Sequence, residues 1–140
     1  MNPESGAGLP LSGEDKRRLI ELARETLGEY LTTRAMPSPE RLGVEITAAM
    51  EQVMGAFVTL RSHGRLRGCI GEIEPRRPLY QAVMDNAVNA GFKDYRFQPV
   101  TLDELPELDF EISVLTPPQP VAGPEEIVLG KHGMTLEKEG

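Results

Sequence analysis

The chain has a single cysteine, Cys69, so it cannot form an internal disulfide. It also lacks any apolar run near the roughly 18 residues that a membrane-spanning helix needs. The first residues do not show a basic stretch followed by an apolar one, which is the pattern of a secretory signal peptide. We therefore expect a cytoplasmic protein that makes no contact with a membrane.

The sequence lacks the common short motifs of enzyme sites. One cysteine and two histidines cannot supply the three or four ligands of a zinc site, so no metal site is predicted. The glycines around Cys69 are not followed by the Lys-Ser/Thr of a phosphate-binding loop, and no dinucleotide fingerprint is present. A Ser-His-Asp arrangement has no local support. The sequence names no cofactor.

Basic residues are fewer than acidic ones, at 15 Lys and Arg against 22 Asp and Glu, which gives a net charge of −7. This balance argues against nucleic-acid binding. The segment 61–96 nevertheless holds seven basic and four acidic residues, a net charge of +3, and it contains Cys69. A positive segment in an acidic chain favours an anionic ligand or an acidic partner surface. A solvated mixture of charges is the plainer alternative.

The length of 140 residues suits one domain with a buried core. Residues 1–11 show no periodicity and are predicted to be a flexible tail, and residues 12–140 are predicted to be a single domain. Apolar residues from Leu19 to Leu31 repeat at helical spacing behind an N-cap at Ser12. A second helical pattern runs from Leu79 to a C-cap at Gly91. We predict two main helices.

Strands are predicted where apolar and polar residues alternate. The segment Leu108 to Val114 alternates most clearly, and a hairpin is predicted around Ser62-His63-Gly64. The runs Ile127 to Leu129 and Met134 to Leu136 indicate a second hairpin. The predicted fold class is α+β, a twisted and largely antiparallel sheet with the two main helices packed on it.

The stretch from Gly55 to Gly71, GAFVTLRSHGRLRGCIG, is the one that the rest of the chain is organised around. If its second strand alternates regularly, Arg65, Arg67 and Cys69 share one face. Gly68 and Gly71 flank the cysteine, and glycine inside a strand marks a bulge or the close approach of another group. We therefore predict a site at this strand.

Several motifs in fixed order resemble the AMMECR domain family, of the kind called protein A in the prokaryotic AmmeMemoRadiSam system. The motifs are LRGCIG (66–71), EPRRPL (74–79), NAVNAGFKD (86–94), RFQP (96–99) and EISVLTPP (111–118). The resemblance covers nearly the whole chain from about residue 11. It implies an α+β fold of unsettled biochemistry, associated with Memo-like proteins and radical SAM proteins.

The chain departs from the family pattern at two points. Tyr95 stands where the family usually has proline. The chain also ends at Gly140, before a further strand-and-helix segment that family members normally have. The resemblance thus implies a domain that is truncated at its C-terminus.

The candidate site residues come from the central hairpin, the second helix, the loop that follows it and the Leu108 strand. They are Cys69 as a possible catalytic residue, and Arg65, Arg67, Gly68, Gly71, Asn86, Lys93, Asp94, Arg96 and Glu111 as ligand- or partner-binding residues. We expect six of these side chains to lie around one concavity, namely Arg67, Cys69, Asn86, Lys93, Asp94 and Glu111. Glu111 either meets Arg65 or Arg67 or lies on a solvent face of the sheet.

Two classes of function fit these residues. In the first, which asks less of the sequence, the Arg67-Gly68-Cys69 strand binds an anionic small ligand or a partner protein. In the second, Cys69 is a thiolate nucleophile whose pKa is lowered by nearby arginines, with glycine N–H groups near an oxyanion. The motif supplies no general base, because His63 lies at the hairpin turn. A lone cysteine is also commonly inert packing.

Overall fold

The secondary structure follows the apolar periodicity closely. The computed structural model describes residues 9–115, 126–129 and 135–138. The helices are α1 (Gly13–Thr33), α2 (Pro39–Leu42) and α3 (Leu79–Phe92), with 3₁₀ turns at Ala49–Glu51 and Leu102–Glu107. The strands are β1 (Gly55–Ser62), β2 (Arg65–Glu72), β3 (Leu108–Leu115), β4 (Glu126–Leu129) and β5 (Thr135–Lys138).

The five described strands form one antiparallel sheet in the order β2-β1-β3-β4-β5. The β1–β2 hairpin turns at His63-Gly64, and both residues have positive φ, which is typical of a tight two-residue hairpin loop. The second predicted hairpin is present as the paired strands β4 and β5. Its turn, at residues 130–134, lies outside the described part of the chain. The α+β prediction is confirmed.

Helices α1 and α3 pack on one face of the sheet, which we call the inner face. Strand β3 buries Leu108, Phe110, Ile112 and Val114, as its alternation predicts, and β1 buries Ala56, Val58 and Leu60. These side chains meet Leu19, Ala23 and Leu27 of α1 and Ala82, Val83 and Ala87 of α3 in one core. Removal of this apolar area from water is the main source of stability.

The opposite side of the sheet, which we call the outer face, carries the side chains that alternate with the core residues. It consists of Phe57, Thr59 and Arg61 of β1, Cys69 and Gly71 of β2, and Asp109, Glu111 and Ser113 of β3. All of these residues are half-buried. The sheet therefore has an apolar inner face in the core and a mainly polar outer face.

The ends of the two long helices differ in how well the sequence predicts them. Ser12 caps α1 as predicted, because its Oγ accepts from the N–H of Asp15 and the Asp15 carboxylate accepts from the N–H of Ser12, both at 3.0 Å. Gly91 is not the C-cap of α3. It lies inside the helix, where a Cβ would be 2.9 Å from Leu27 of α1, and the C-cap is Lys93. Gly91 therefore serves the contact between the two helices.

The predicted tail is partly held against the domain. Leu9 donates its N–H to the side chain of Gln52 at 2.6 Å and accepts from the same amide at 2.8 Å. Leu11 packs against the core. Residues 1–8 lie outside the described part of the chain.

A β-bulge in β2 overturns the predicted sharing of one face by Arg65, Arg67 and Cys69. Leu60 pairs with Gly68, but the next residue, Arg61, pairs with Leu66, so Arg67 is the extra residue of the bulge. Cys69 stays on the outer face, whereas Arg65 and Arg67 no longer follow its alternation. The register therefore puts Arg65 on the other face from Cys69, and the side chain of Arg67 binds Glu104 and Gln98 rather than the thiol.

Gly68 has a packing reason at this bulge. It is buried, and a Cβ on residue 68 would clash with the carbonyl oxygen of Ala90 in α3. The glycine thus lets the helix backbone approach β2 closely, which is one of the two meanings that a strand glycine was expected to have.

Candidate functional site

Cys69 lies on the outer face of β2, directly opposite Thr59 of β1. Its thiol is half-buried, and the Sγ is 3.1 Å from the Thr59 Oγ1, with either atom able to donate. Thr59 is also opposite Glu111 of β3. Three adjacent strands therefore present a thiol, a hydroxyl and a carboxylate in one row.

Glu111 does not meet either of the arginines that the sequence suggested. Its Oε1 is 3.5 Å from the Nε of Arg61, its diagonal neighbour on β1, and both side chains are about 40% exposed. Arg65 and Arg67 lie on β2, one strand further away. Glu111 thus belongs to a half-exposed ion pair at the edge of the cysteine row.

The main chain of Cys69 is held by a pair of side chains from the loop that follows α3, which we call the edge clamp, Asp94 and Arg96. The N–H of Cys69 donates to the Asp94 Oδ2 at 3.0 Å, and the Arg96 Nη2 donates to the carbonyl oxygen of Cys69 at 3.4 Å. Arg96 also donates two hydrogen bonds to the Asp94 carboxylate, at 2.9 and 2.7 Å. Since β2 is the edge of the described sheet, these side chains satisfy main-chain groups that have no neighbouring strand.

The carboxylate of the edge clamp is buried and strongly stabilised in its ionised form. The Asp94 side chain is 5% exposed. Hydrogen bonds from Arg96, followed by the N–H of Cys69, hold the pKa of Asp94 far below its usual value, although burial acts to raise it. The carboxylate is therefore ionised at neutral pH and fully engaged within the domain.

Arg67 is also engaged within the domain. Its Nε and Nη2 donate to the two carboxylate oxygens of Glu104 at 2.9 and 3.0 Å, and its Nη1 donates to the carbonyl oxygen of Gln98 at 2.8 Å. Its side chain is 17% exposed. Arg67 thus ties the bulge of β2 to the segment that leads into β3.

Glu104 is the partner that sequence reasoning missed. Hydrogen bonds from Arg67 are the largest cause of the lowered pKa of Glu104, and the N–H and hydroxyl of Thr101 add to the effect. The signal for this carboxylate was the Thr101-x-x-Glu104 pattern, a capping box that fixes the side chain in place.

Asn86 lies beneath the sheet rather than beside the thiol. It is 3% exposed, donates to the carbonyl oxygen of Ala56 at 3.4 Å, and accepts from Asn89 at 3.2 Å. Cys69 projects from the opposite face, so the six predicted residues do not surround one concavity. Asn86 is therefore a buried amide whose partners are a main-chain carbonyl of β1 and a neighbouring residue of α3.

The remaining predicted residues divide between packing and exposure. Gly71 leaves room for Phe57 of β1, because a Cβ there would clash with that residue. Arg65 and Lys93 are exposed, and neither side chain is paired with another residue in the described part of the chain. Tyr95, which lies between the two edge-clamp residues in the sequence, is 97% exposed.

Two features are absent from residues 9–115, 126–129 and 135–138. Within them, no three His, Cys, Asp or Glu side chains come together as a group that could hold a metal ion. No helix in this part of the chain is long and apolar enough to cross a membrane. The chemical groups at the Cys69 strand are a thiol, a hydroxyl and charged side chains that are mostly paired.

The fold and this strand define an α+β domain with helices on one sheet face and a clamped, thiol-bearing edge strand. Residues 20–140 match the model of the family described as AMMECR1, and the chain belongs to the AMMECR1 family. It is similar to protein Mbar_A1807 of Methanosarcina barkeri, with 38% identity over 133 residues, 91% of this chain and 66% of that protein. It is also similar to protein TK0174 of Thermococcus kodakarensis, with 41% identity over 131 residues, 86% of this chain and 62% of that protein.

A solved structure shares the fold. The uncharacterized protein PH0010 from Pyrococcus horikoshii superposes with a TM-score of 0.69 at 37% identity, covering 77% of this chain and 54% of that chain. This chain therefore spans about two thirds or less of the length of these three relatives. The family is one of uncharacterised function.

Proposed function

We propose that this AMMECR1-family domain is a binding module whose contact surface is the β2 edge together with loop 93–97. Its target carries negative charge, as an anionic small ligand or as an acidic patch on a partner protein. The observation that supports this proposal is that the basic side chains of this surface fall into two groups. Arg67 and Arg96 are hydrogen-bonded to carboxylates of the domain, whereas Arg65 and Lys93 are exposed.

The guanidinium groups of Arg67 and Arg96 are already occupied, and this favours a partner protein over a small anion as the target. A small carboxylate is best held by a guanidinium fork. The forks of Arg67 and Arg96 already hold Glu104 and Asp94. A free anion has to compete with carboxylates on the same chain, whose effective concentration is on the order of millimolar or higher. Exposed cations such as Arg65 and Lys93 instead suit a broad acidic surface, which they attract at a distance.

The family resemblance suggests which proteins to try first. Memo-like proteins and radical SAM proteins are associated with prokaryotic members of the family, so both are our candidate partners. A cytoplasmic location, which the sequence predicts, would place this domain with them. We assign no reaction to the complex.

A second candidate is an enzyme that uses Cys69 as a thiolate nucleophile. The observation that favours it is the Thr59 hydroxyl at 3.1 Å, which can donate a hydrogen bond to a thiolate. No general base among the described residues hydrogen-bonds to the Sγ. His63 is engaged elsewhere, with its Nε2 3.2 Å from the Glu107 Oε1. The binding module therefore accounts for more of the geometry.

The test reverses the charge of the two exposed basic side chains in an Arg65→Glu, Lys93→Glu double variant. Its control, Arg17→Glu with Arg41→Glu, makes the same change in net charge at exposed positions on α1 and α2. We expect the double variant to bind the Memo-like or radical SAM protein of the same organism at least tenfold more weakly, about 1.4 kcal/mol. Most of the loss should be in the association rate at low salt.

Affinities are measured by biolayer interferometry at two salt concentrations. If both candidate partners bind the wild type but bind the double variant as tightly as the control, the surface is wrongly placed. If neither binds the wild type, the partner assignment fails.

A further inference from the structure

The structure points to Tyr95 as a prepositioned aromatic anchor for a protein whose recess is apolar inside and acidic at its rim. This inference rests on the proposed function, because the residue lies on the same surface. Its side chain is 97% exposed. The other exposed large apolar side chains in the described part of the chain range from 38% at Leu66 to 69% at Ile73. Tyr95 therefore contributes almost nothing to the folded core.

The residues on both sides of Tyr95 are fixed. Asp94 is bound to the main chain of Cys69, and Arg96 is bound to Asp94 through its side chain and its N–H. The N–H of Phe97 donates to the carbonyl oxygen of Asp94 at 3.0 Å. Because the backbone under the ring is already ordered, a partner that covers the ring has to immobilise only its two side-chain torsions. Tyrosine is also among the residues that most often dominate binding energy at interfaces.

The charges around the ring define the kind of partner. Lys93 is exposed and Arg96 is 53% exposed, whereas the one acid between them, Asp94, is buried and neutralised by Arg96. Because Asp94 and Arg96 offset each other, the net charge beside the ring is the +1 of exposed Lys93, on a chain whose net charge is −7. An apolar recess that takes the ring and offers carboxylates at its rim would match both features.

The test uses a phage-displayed library of random 12-residue peptides as the probe, panned on the immobilised wild-type domain. We expect the enriched peptides to be rich in Asp and Glu around apolar residues. Synthetic copies should bind Tyr95→Ala at least tenfold more weakly than wild type, about 1.4 kcal/mol. They should bind Met36→Ala, which removes a 43% exposed side chain elsewhere, as well as wild type. Because Tyr95 is so exposed, its variant should keep the wild-type melting temperature.

Two further variants test whether the fixed loop matters. Asp94→Ala keeps the ring but releases the clamp, and we expect a severalfold loss of peptide affinity. If that variant is not folded, Arg96→Lys keeps the charge and removes the fork, with the same expectation. Failure to enrich any peptide, or equal binding to wild type and Tyr95→Ala, overturns the inference.

The proposed function can survive that failure. If the candidate partners bind Tyr95→Ala normally but not the Arg65→Glu, Lys93→Glu variant, the binding surface stands and the anchor does not.

Discussion

Removal of the Asp94 side chain should loosen the edge of the sheet without opening its core. In Asp94→Ala the N–H of Cys69 and the guanidinium of Arg96 both lose a charged partner. A hydrogen bond to a charged group is worth about 1.5–3 kcal/mol. Arg96 is half-exposed and regains water, so we expect the loss to come mainly from the Cys69 main chain, at about 1.5–3 kcal/mol. For a domain of this size that lowers the melting temperature by roughly 3–12 °C.

The control is Glu74→Ala, which breaks an ion pair with Arg76 in which both side chains are about 70% exposed. Such a pair should contribute less than about 0.5 kcal/mol. Thermal unfolding followed by circular dichroism gives the stabilities, and hydrogen exchange of the Cys69 amide gives the local effect. If Asp94→Ala has the same melting temperature as Glu74→Ala and the Cys69 amide exchanges at the wild-type rate, the edge clamp does not stabilise this strand.

The remaining predictions concern pH, the bulge and the thiol. Because the pKa of Asp94 is lowered in the folded state, the stability that its charge provides is present above the unfolded-state pKa of about 3.9 and is lost as the pH falls below it. Chemical denaturation should thus show a gap between wild type and Asp94→Asn that is constant near neutral pH and shrinks below about pH 4; a gap that widens there would contradict the assignment. Arg67→Ala should destabilise the domain by about 1–3 kcal/mol, measured in urea, because Glu104 loses its cationic partner and keeps only Thr101; a neutral result would mean that this ion pair is not formed in solution. Gly68→Ala should cost more than about 3 kcal/mol or abolish folding, because its Cβ clashes with main chain rather than with a flexible side chain; a normally folded variant would refute the close approach of α3. Cys69→Ser should bind the partner with nearly wild-type affinity and leave any measured turnover unchanged, whereas a loss of turnover with binding intact would favour the nucleophile.

The local pattern of the sequence predicts the elements well because each element buries one face. The alternation from Leu108 to Val114 gives both the extent of β3 and its inward side chains. The spacing of apolar residues gives the core faces of α1 and α3. The capping box at Ser12 is likewise a local signal, read within three residues.

The site is harder to predict because its contacts are long-range and partly with main chain. Arg67 meets Glu104 across 37 residues, and nothing near either residue indicates the other. Asp94 binds the N–H of Cys69, a group that every residue except proline carries, so the identity of the partner leaves no trace in the sequence. One extra residue at the bulge changes which side chains share a face. Regular alternation therefore gave the wrong neighbours for Cys69.

The proposed binding surface can be tested most directly by hydrogen exchange of the wild-type domain with and without the Memo-like or radical SAM protein. Our account predicts slower exchange in peptides that cover β2 and loop 93–97. It predicts no change around Arg17 near the start of α1, because the end of α1 that contacts Phe92, next to this loop, is the opposite one, at Tyr30 and Arg34. Protection confined to α1 and α2, with β2 and loop 93–97 unchanged in a saturated complex, would contradict it.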